Sequence, residues 1–310
     1  MSGTISEDNT TGSSVEFPCQ FPDEIFKPSR DAIDGVLRLL GKTLKPLGEE
    51  LWSRNTFYDL GDGRMAKFGP TVKIYEARAM HFVRCYTSIQ VPDLYMVFEH
   101  DDQTYIVMEL VDGISLRDAS HTTNADGSPN YGLGPGLVAD DEVLTIIEDL
   151  KNIVEELREL GRRFPPKNPW FGAWPEGPLS NCYTWEAVPA APFKNIDEFH
   201  AYFLERLRPR CPDPSTYEAL EQVRREAQDH APVLTHGDLA PRNILVKGGR
   251  VVSVVDWETF GWYPDFWERM TIENEDLGSR IRQAVTTVFG EKPFEAKVYL
   301  YVDACLSLPW

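Results

Sequence analysis

Residues 233–258, VLTHGDLAPRNILVKGGRVVSVVDWE, decide how this chain is read. Val233 and Leu234 are an apolar pair consistent with a short buried strand that leads into His236-Gly237-Asp238. Ile244, Leu245 and Val246 read as a second strand, Gly248-Gly249 can take the positive φ of a primed hairpin turn, and residues 251–255 return as a β-branched strand. That strand delivers Asp256 at its end, so Asp238, Asn243 and Asp256 are three hard oxygen groups at the ends of one hairpin. Phosphoryl transfer asks for a carboxylate that orients a hydroxyl and accepts its proton, and for oxygen ligands that hold magnesium against phosphates. Asp238 fits the first role, and Asn243 with Asp256 fits the second. The plainer reading makes all three turn and cap residues, but three such groups on one hairpin favour the chemical one. His236 reads as a packing and hydrogen-bonding residue of the loop rather than an acid or base.

The string HGDLAPRNILV followed by DWETFGWYPDFWE resembles the catalytic loop of the aminoglycoside phosphotransferase and choline kinase families, and in particular their fungal phosphotransferase group. These families carry HGD where protein kinases carry HRD. The resemblance implies an α+β, protein-kinase-like fold of two lobes: an N-lobe with an antiparallel sheet and one key helix, and a mainly helical C-lobe. It implies ATP (or GTP) and magnesium as cofactors and a small-molecule hydroxyl as acceptor. It also places further residues. Lys67 matches the lysine that pairs the α- and β-phosphates, and Glu76 its partner on the next helix; Met108 stands at the gate of the adenine pocket. The carbonyl of Glu109 and the amide of Val111 would bond adenine. DWE stands where protein kinases carry DFG, and only the Asp is needed for metal. Ala240 replaces the lysine found two residues after the catalytic Asp, and Arg242 resembles the arginine that reaches back into the site in tyrosine kinases; a surface role for Arg242 stays open.

At 310 residues the chain suits one two-lobed unit, with residues 1–28 as a disordered leader, 29–111 as the N-lobe and 112–310 as the C-lobe. The first twenty residues are polar and acidic, without the basic start and apolar centre of a signal peptide. No apolar run is long enough to cross a bilayer. Cys19, Cys85, Cys182, Cys211 and Cys305 are odd in number, without close pairing or metal-ligand spacing, which points to free thiols in the cytoplasm. A net charge of -18 opposes attraction to nucleic acid or anionic membrane and favours a cationic acceptor, although solubility explains much acidic surface.

Along the chain, Ser29 can cap a helix through Ala32, Val36, Leu37 and Leu40 that Gly41 ends. Residues 47–59 read as two strands around a turn at Ser53-Arg54-Asn55; Ser53 and Asn55 can offer donors to phosphate, or form an ordinary hairpin turn. Residues 65–69 read as a strand carrying Lys67. A helix from near Val72 can align Glu76, Met80 and Val83 on one inward stripe. Residues 94–98 and 105–109 pair across a turn, and Val111-Asp112-Gly113 resembles an inter-lobe hinge. Residues 121–136 are a polar loop. Residues 141–160 make the central C-lobe helix through Ile146, Leu150, Ile153, Leu157 and Leu160, with Gly161 expected to stop it. Trp170, Phe171, Trp174 and Trp185 either line an acceptor site or bury against the lobe. Helices are expected over 196–207 and 215–228 and beyond Asp265. Asp265 and Glu268 resemble acceptor-side positions. A scaffold that keeps the fold without turnover is the rival reading, opposed by the joint presence of Lys67, Asp238, Asn243 and Asp256.

Overall fold

The structure, a computed structural model, describes residues 19–41, 47, 55–120, 122–123, 129–130, 140–179, 189, 191–211, 213–226, 230–274 and 278–307. In chain order, α1 (Asp23–Phe26) and α2 (Arg30–Leu40) precede β1 (Thr56–Asp59), β2 (Arg64–Gly69), α3 (Ile74–Tyr86), β3 (Leu94–His100) and β4 (Gln103–Glu109). Next come β5 (Ile114–Ser115), α4 (Leu116–Ala119), β6 (Thr122–Thr123), β7 (Pro129–Asn130), α5 (Asp140–Arg163), β8 (Gly172–Ala173), α6 (Ile196–Leu207) and α7 (Pro214–Glu226). They are followed by β9 (Val233–Thr235), β10 (Ile244–Lys247), β11 (Arg250–Val254), β12 (Gly261–Tyr263), α8 (Trp267–Thr271), α9 (Gly278–Phe289) and α10 (Phe294–Ser307).

The first half of the chain builds a four-stranded antiparallel sheet in the order β1-β2-β4-β3. Asp101 and Asp102 both take positive φ between β3 and β4, as a two-residue primed turn requires. Alternation along the strands divides their side chains between two faces. Ala66, Tyr105 and Val107 pack with Val36 of α2, while Ile106 and Met108 join the core that contains α3. Lys67 follows Ala66 and pairs with Ile106 in register, so it is turned to the α3 side. Helix α2 starts where expected, with Ser29 Oγ accepting from the Ala32 N–H at 3.3 Å. Helix α3 starts at Ile74, two residues later than expected, because Val72 N–H closes a turn onto the Gly69 carbonyl at 3.3 Å and Lys73 is still extended.

Residues 19–28 depart from the expected leader. They contain a helical turn, and Phe21 and Phe26 lie with ring centroids 5.7 and 6.1 Å from His81 on α3. Two aromatics give this strap enough apolar surface to pack. Residues 1–18 lie outside the described residues.

In the second half, β10 and β11 form the hairpin read from the sequence, with Gly248 and Gly249 at φ 56 and 72, and β5 adds a third strand beside β10. A separate small sheet runs β8-β12-β9. Ile146, Leu150, Ile153, Leu157 and Leu160 are all buried along α5. Gly161 does not stop that helix, which continues to Arg163. Its reason is packing: a Cβ at Gly161 would lie 2.8 Å from Leu234 Cβ and 3.1 Å from Trp262 Cζ3. The missing side chain lets α5 approach β9 and β12 closely. Trp170, Phe171 and Trp174 are buried: Trp174 stacks on Phe82 of α3 with centroids 4.9 Å apart, Trp170 meets Trp262 and Phe171 meets Phe199 of α6, so all three pack against the protein rather than face a ligand. Trp185 lies outside the described residues, as do most of residues 121–136 and the turn at Ser53.

The close approach at Gly161 reverses the usual helix preference. Gly161→Ala, which would gain up to ~1 kcal/mol on an exposed helix, is expected to lose about 1–3 kcal/mol here through overpacking. Chemical denaturation of the two chains reads the sign directly.

Candidate active site

Lys67 is 2% exposed, and its ammonium lies 2.8 Å from Glu76 Oε1 and 2.6 Å from Asp256 Oδ1. Three separate elements meet there: β2 supplies the lysine, α3 the glutamate, and the end of the β10–β11 hairpin the aspartate. Burial alone would push the Lys67 ammonium down, but the charges of Asp256 and Glu76 outweigh it and hold Lys67 well above its ordinary range. For Asp256 too burial works against the charge, and Lys67 outweighs it, so this carboxyl sits below its ordinary value. Glu76 is raised, since burial prevails over the partial relief from Lys67.

At the same open end of the hairpin, the entry to β10 is held as tightly. Pro241–Asn243 is a 3-10 turn, and it folds two side chains back onto Asp238. Asp238 Oδ2 accepts from Arg242 Nη2 at 2.6 Å and from Asn243 Nδ2 at 2.9 Å, while Nδ2 also donates to the Asp238 carbonyl at 2.9 Å. Asp238 Oδ1 is buried and has no partner among the described residues. One carboxylate oxygen is thus fixed and the other left open. His236 Nδ1 accepts from the Asp238 N–H at 3.3 Å, so Nε2 carries the ring proton and donates to the Val255 carbonyl at 3.1 Å. Burial pushes His236 down to about 4, which makes it a neutral brace. Both Asp238 and Asp256 oppose that shift. Gly237 takes φ +85, and any Cβ there would strike the Thr259 carbonyl oxygen.

The structure therefore brings Lys67, Glu76 and Asp256 into one contact set and Asp238, Arg242 and Asn243 into another, side by side at the open end of one short hairpin, where the Val255 N–H donates to the Asn243 carbonyl at 3.0 Å. Met108 is buried at the end of β4, opposite Met65 on the strand that carries Lys67. Glu109 closes that strand: its N–H donates to the Asp93 carbonyl at 2.8 Å and its carboxylate accepts from the Asp93 N–H at 3.2 Å. Val111 lies two residues further on. Ser53 lies outside the described residues.

Two acids were misread from the sequence. Glu258, passed over as a departure from DFG, brings its carboxylate within 4.8 Å of those of Glu76 and Asp256. Burial first, and then the charge of Asp256, push it up to about 8. One ammonium faces three carboxylates here, and Glu76 Oε2 and Glu258 Oε2 are buried without partners among the described residues. Hard oxygen donors whose charges oppose one another in this way fit a divalent cation such as magnesium, whose binding would displace the Glu258 proton. Glu268 does not face an acceptor cleft. It is 2% exposed on α8, and its Oε1 accepts from the backbone N–H groups of His236 and Gly237, the latter at 3.2 Å. Beside it, Trp267 Nε1 donates to the Gly237 carbonyl at 2.9 Å. The signal for Glu258 was its spacing of two from Asp256; for Glu268 no local signal existed.

A profile of the phosphotransferase enzyme family matches residues 75–267, more than half of the chain. Among solved structures, an apo thermostable mutant of aminoglycoside phosphotransferase APH(4)-Ia superposes with a TM-score of 0.59 at 14% identity, over 88% of each chain. A ternary complex of such a mutant with ADP and hygromycin B gives 0.57 at 14%, over 88% of this chain and 87% of that one. ADP-bound aminoglycoside phosphotransferase APH(2'')-Ib gives 0.52 at 14%, over 90% of both. At such identity the superpositions show the kinase-like fold alone. No curated protein matches the chain.

The buried Glu268 carries a pH signature. Burial, exceeding the relief from the Gly237 and His236 N–H groups, pushes its carboxyl from 4.5 up to about 7. A raised folded-state value means that the proton's stabilisation is complete below about 4.5 and is lost as pH rises through about 7. Stability is expected to fall by about 2 kcal/mol between pH 5 and 8 from this group, and Glu268→Gln to flatten that slope. Urea titrations across the pH range check it.

Proposed function

This chain belongs to the phosphotransferase enzyme family, and we propose that it moves the terminal phosphoryl group of ATP (or GTP) to a hydroxyl of a small molecule. The observation that carries this reading is the buried Lys67 ammonium bound to both Glu76 and Asp256, at the same open end of the hairpin that the Asp238 loop enters. In it, residues 29–111 form the nucleotide-binding lobe, and residues 112–310 supply the catalytic loop and acceptor site. Lys67, steadied by Glu76, holds the α- and β-phosphates. Met108 walls the adenine pocket, and the Glu109 carbonyl and Val111 amide bond the base.

Asn243 and Asp256 hold magnesium, and Glu258 is placed to join them. Magnesium supplies neutralisation of the charge on the phosphate oxygens when bound. Asp238 orients the acceptor hydroxyl and takes its proton on Oδ1, because Oδ2 is occupied by Arg242 and Asn243. Arg242, partly exposed beside the base, engages Asp238 Oδ2 and offers donors to the transferring phosphoryl group. The acidity of the chain, at a net charge of -18, favours a cationic acceptor such as an amino sugar or amino alcohol. The solved relatives include complexes with streptomycin and gentamicin, but the shared fold does not carry their substrates to this chain.

Asp238→Asn is expected to lower phosphotransfer by roughly 10²–10⁴-fold while leaving the thermal shift with magnesium-ATP intact. Labelled-nucleotide consumption across a panel of amines, sugars and alcohols reads the first. A wild-type chain that binds magnesium-ATP yet phosphorylates nothing in the panel would instead favour a silent scaffold. Glu258→Gln is expected to raise the magnesium concentration for half-maximal nucleotide binding roughly tenfold, on the scale of losing a supporting metal contact. Magnesium titration followed by the nucleotide thermal shift checks it.

A further inference from the structure

We propose that Cys211 and Cys305 form a modification site at which a low-molecular-weight disulfide, such as oxidised glutathione, installs a cross-link between the end of α6 and α10. The two cysteines are 94 residues apart in the chain, yet their sulfurs lie 3.2 Å apart, with the Cys305 S–H donating to Cys211 Sγ. A disulfide needs a separation of about 2.05 Å, little more than an ångström closer than the two sulfurs stand. Both residues are half-buried at the edge of the aromatic core of α6, α8 and α10, within reach of a small oxidant. The Cys211 N–H donates to the Leu207 carbonyl at 2.8 Å, so the backbone of this thiol is anchored by the helix it follows. Neither cysteine touches Lys67, Asp238 or Asp256, so the inference stands independently of the proposed activity.

The chemistry balances. Cys305 keeps its proton, its thiol pushed up to about 11 by burial and by the Cys211 sulfur, which leaves Cys211 as the first nucleophile. Cys211 gives its proton to solvent and attacks one sulfur of the glutathione disulfide, breaking that S–S bond and expelling one glutathione thiolate. Cys305 then gives its proton to solvent and attacks Cys211 Sγ of the mixed disulfide, expelling the second. Two protein thiols lose two electrons, and one small disulfide becomes two thiols. The closed loop contains the whole hairpin and α8, so the bond restricts the unfolded chain across the candidate active site.

The test uses the full chain incubated with oxidised or reduced glutathione. Intact mass should fall by two protons, peptide mapping should join Cys211 to Cys305, and Tm should rise by about 5 °C and return on reduction. Cys305→Ser should retain one glutathione on Cys211 and show no such rise. The proposal is overturned if both thiols of the oxidised wild type remain open to alkylation, if the bond joins other cysteines, or if glutathione stays on Cys211 without a link. The wild-type measurements decide the matter even if a serine variant fails to fold.

Discussion

The site depends on one buried cation. Lys67 is sealed from water and could not be charged there without the two carboxylates that hold it. Each partner comes from a different element, so the ion pairs also fix how β2, α3 and the catalytic hairpin sit together. The phenyl ring of Phe57 on the neighbouring strand, 5.7 Å from the ammonium, completes its surroundings. Removing either carboxylate would leave a charge with too few partners, while the excess of acids around it leaves room for a further cation.

That geometry survives only because the elements behind it share a core. Phe82 on α3 stacks on Trp174, and Trp174 donates its backbone N–H to the Phe260 carbonyl at 2.9 Å, four residues beyond Asp256. The helix carrying Glu76 is thereby tied to the segment carrying Asp256 by dispersion and by a backbone bond. The closeness of α5 to β9 at Gly161 sets the same frame from the other side.

The loop between β9 and β10 has little regular structure, so its polar backbone groups need side-chain partners. Glu268, Trp267, Thr259 and His236 provide them: Thr259 Oγ1 donates to the His236 carbonyl at 3.0 Å and His236 Nδ1 accepts from the Asp238 N–H at 3.3 Å, beside the bonds from Glu268 and Trp267. These buried groups do no chemistry in the proposed reaction. They hold Asp238 in place, with one oxygen engaged and the other open.

Much of this was legible in the chain itself, wherever the signal was local. The paired glycines of the hairpin, the alternation that turns Lys67 away from Ala66, the stripe of α5 and the cap at Ser29 all follow from neighbours a few residues apart, because backbone conformation and side-chain periodicity are short-range properties. Other features belong to the assembled molecule. Gly161 read as a helix end until β9 and β12 stood against it, and Trp174 read equally as a ligand surface until Phe82 covered it. Glu268 reaches amides some thirty residues upstream, and Cys211 meets a thiol on the last helix. No pattern along the chain encodes such meetings, since they are set by packing between elements and not by spacing within them.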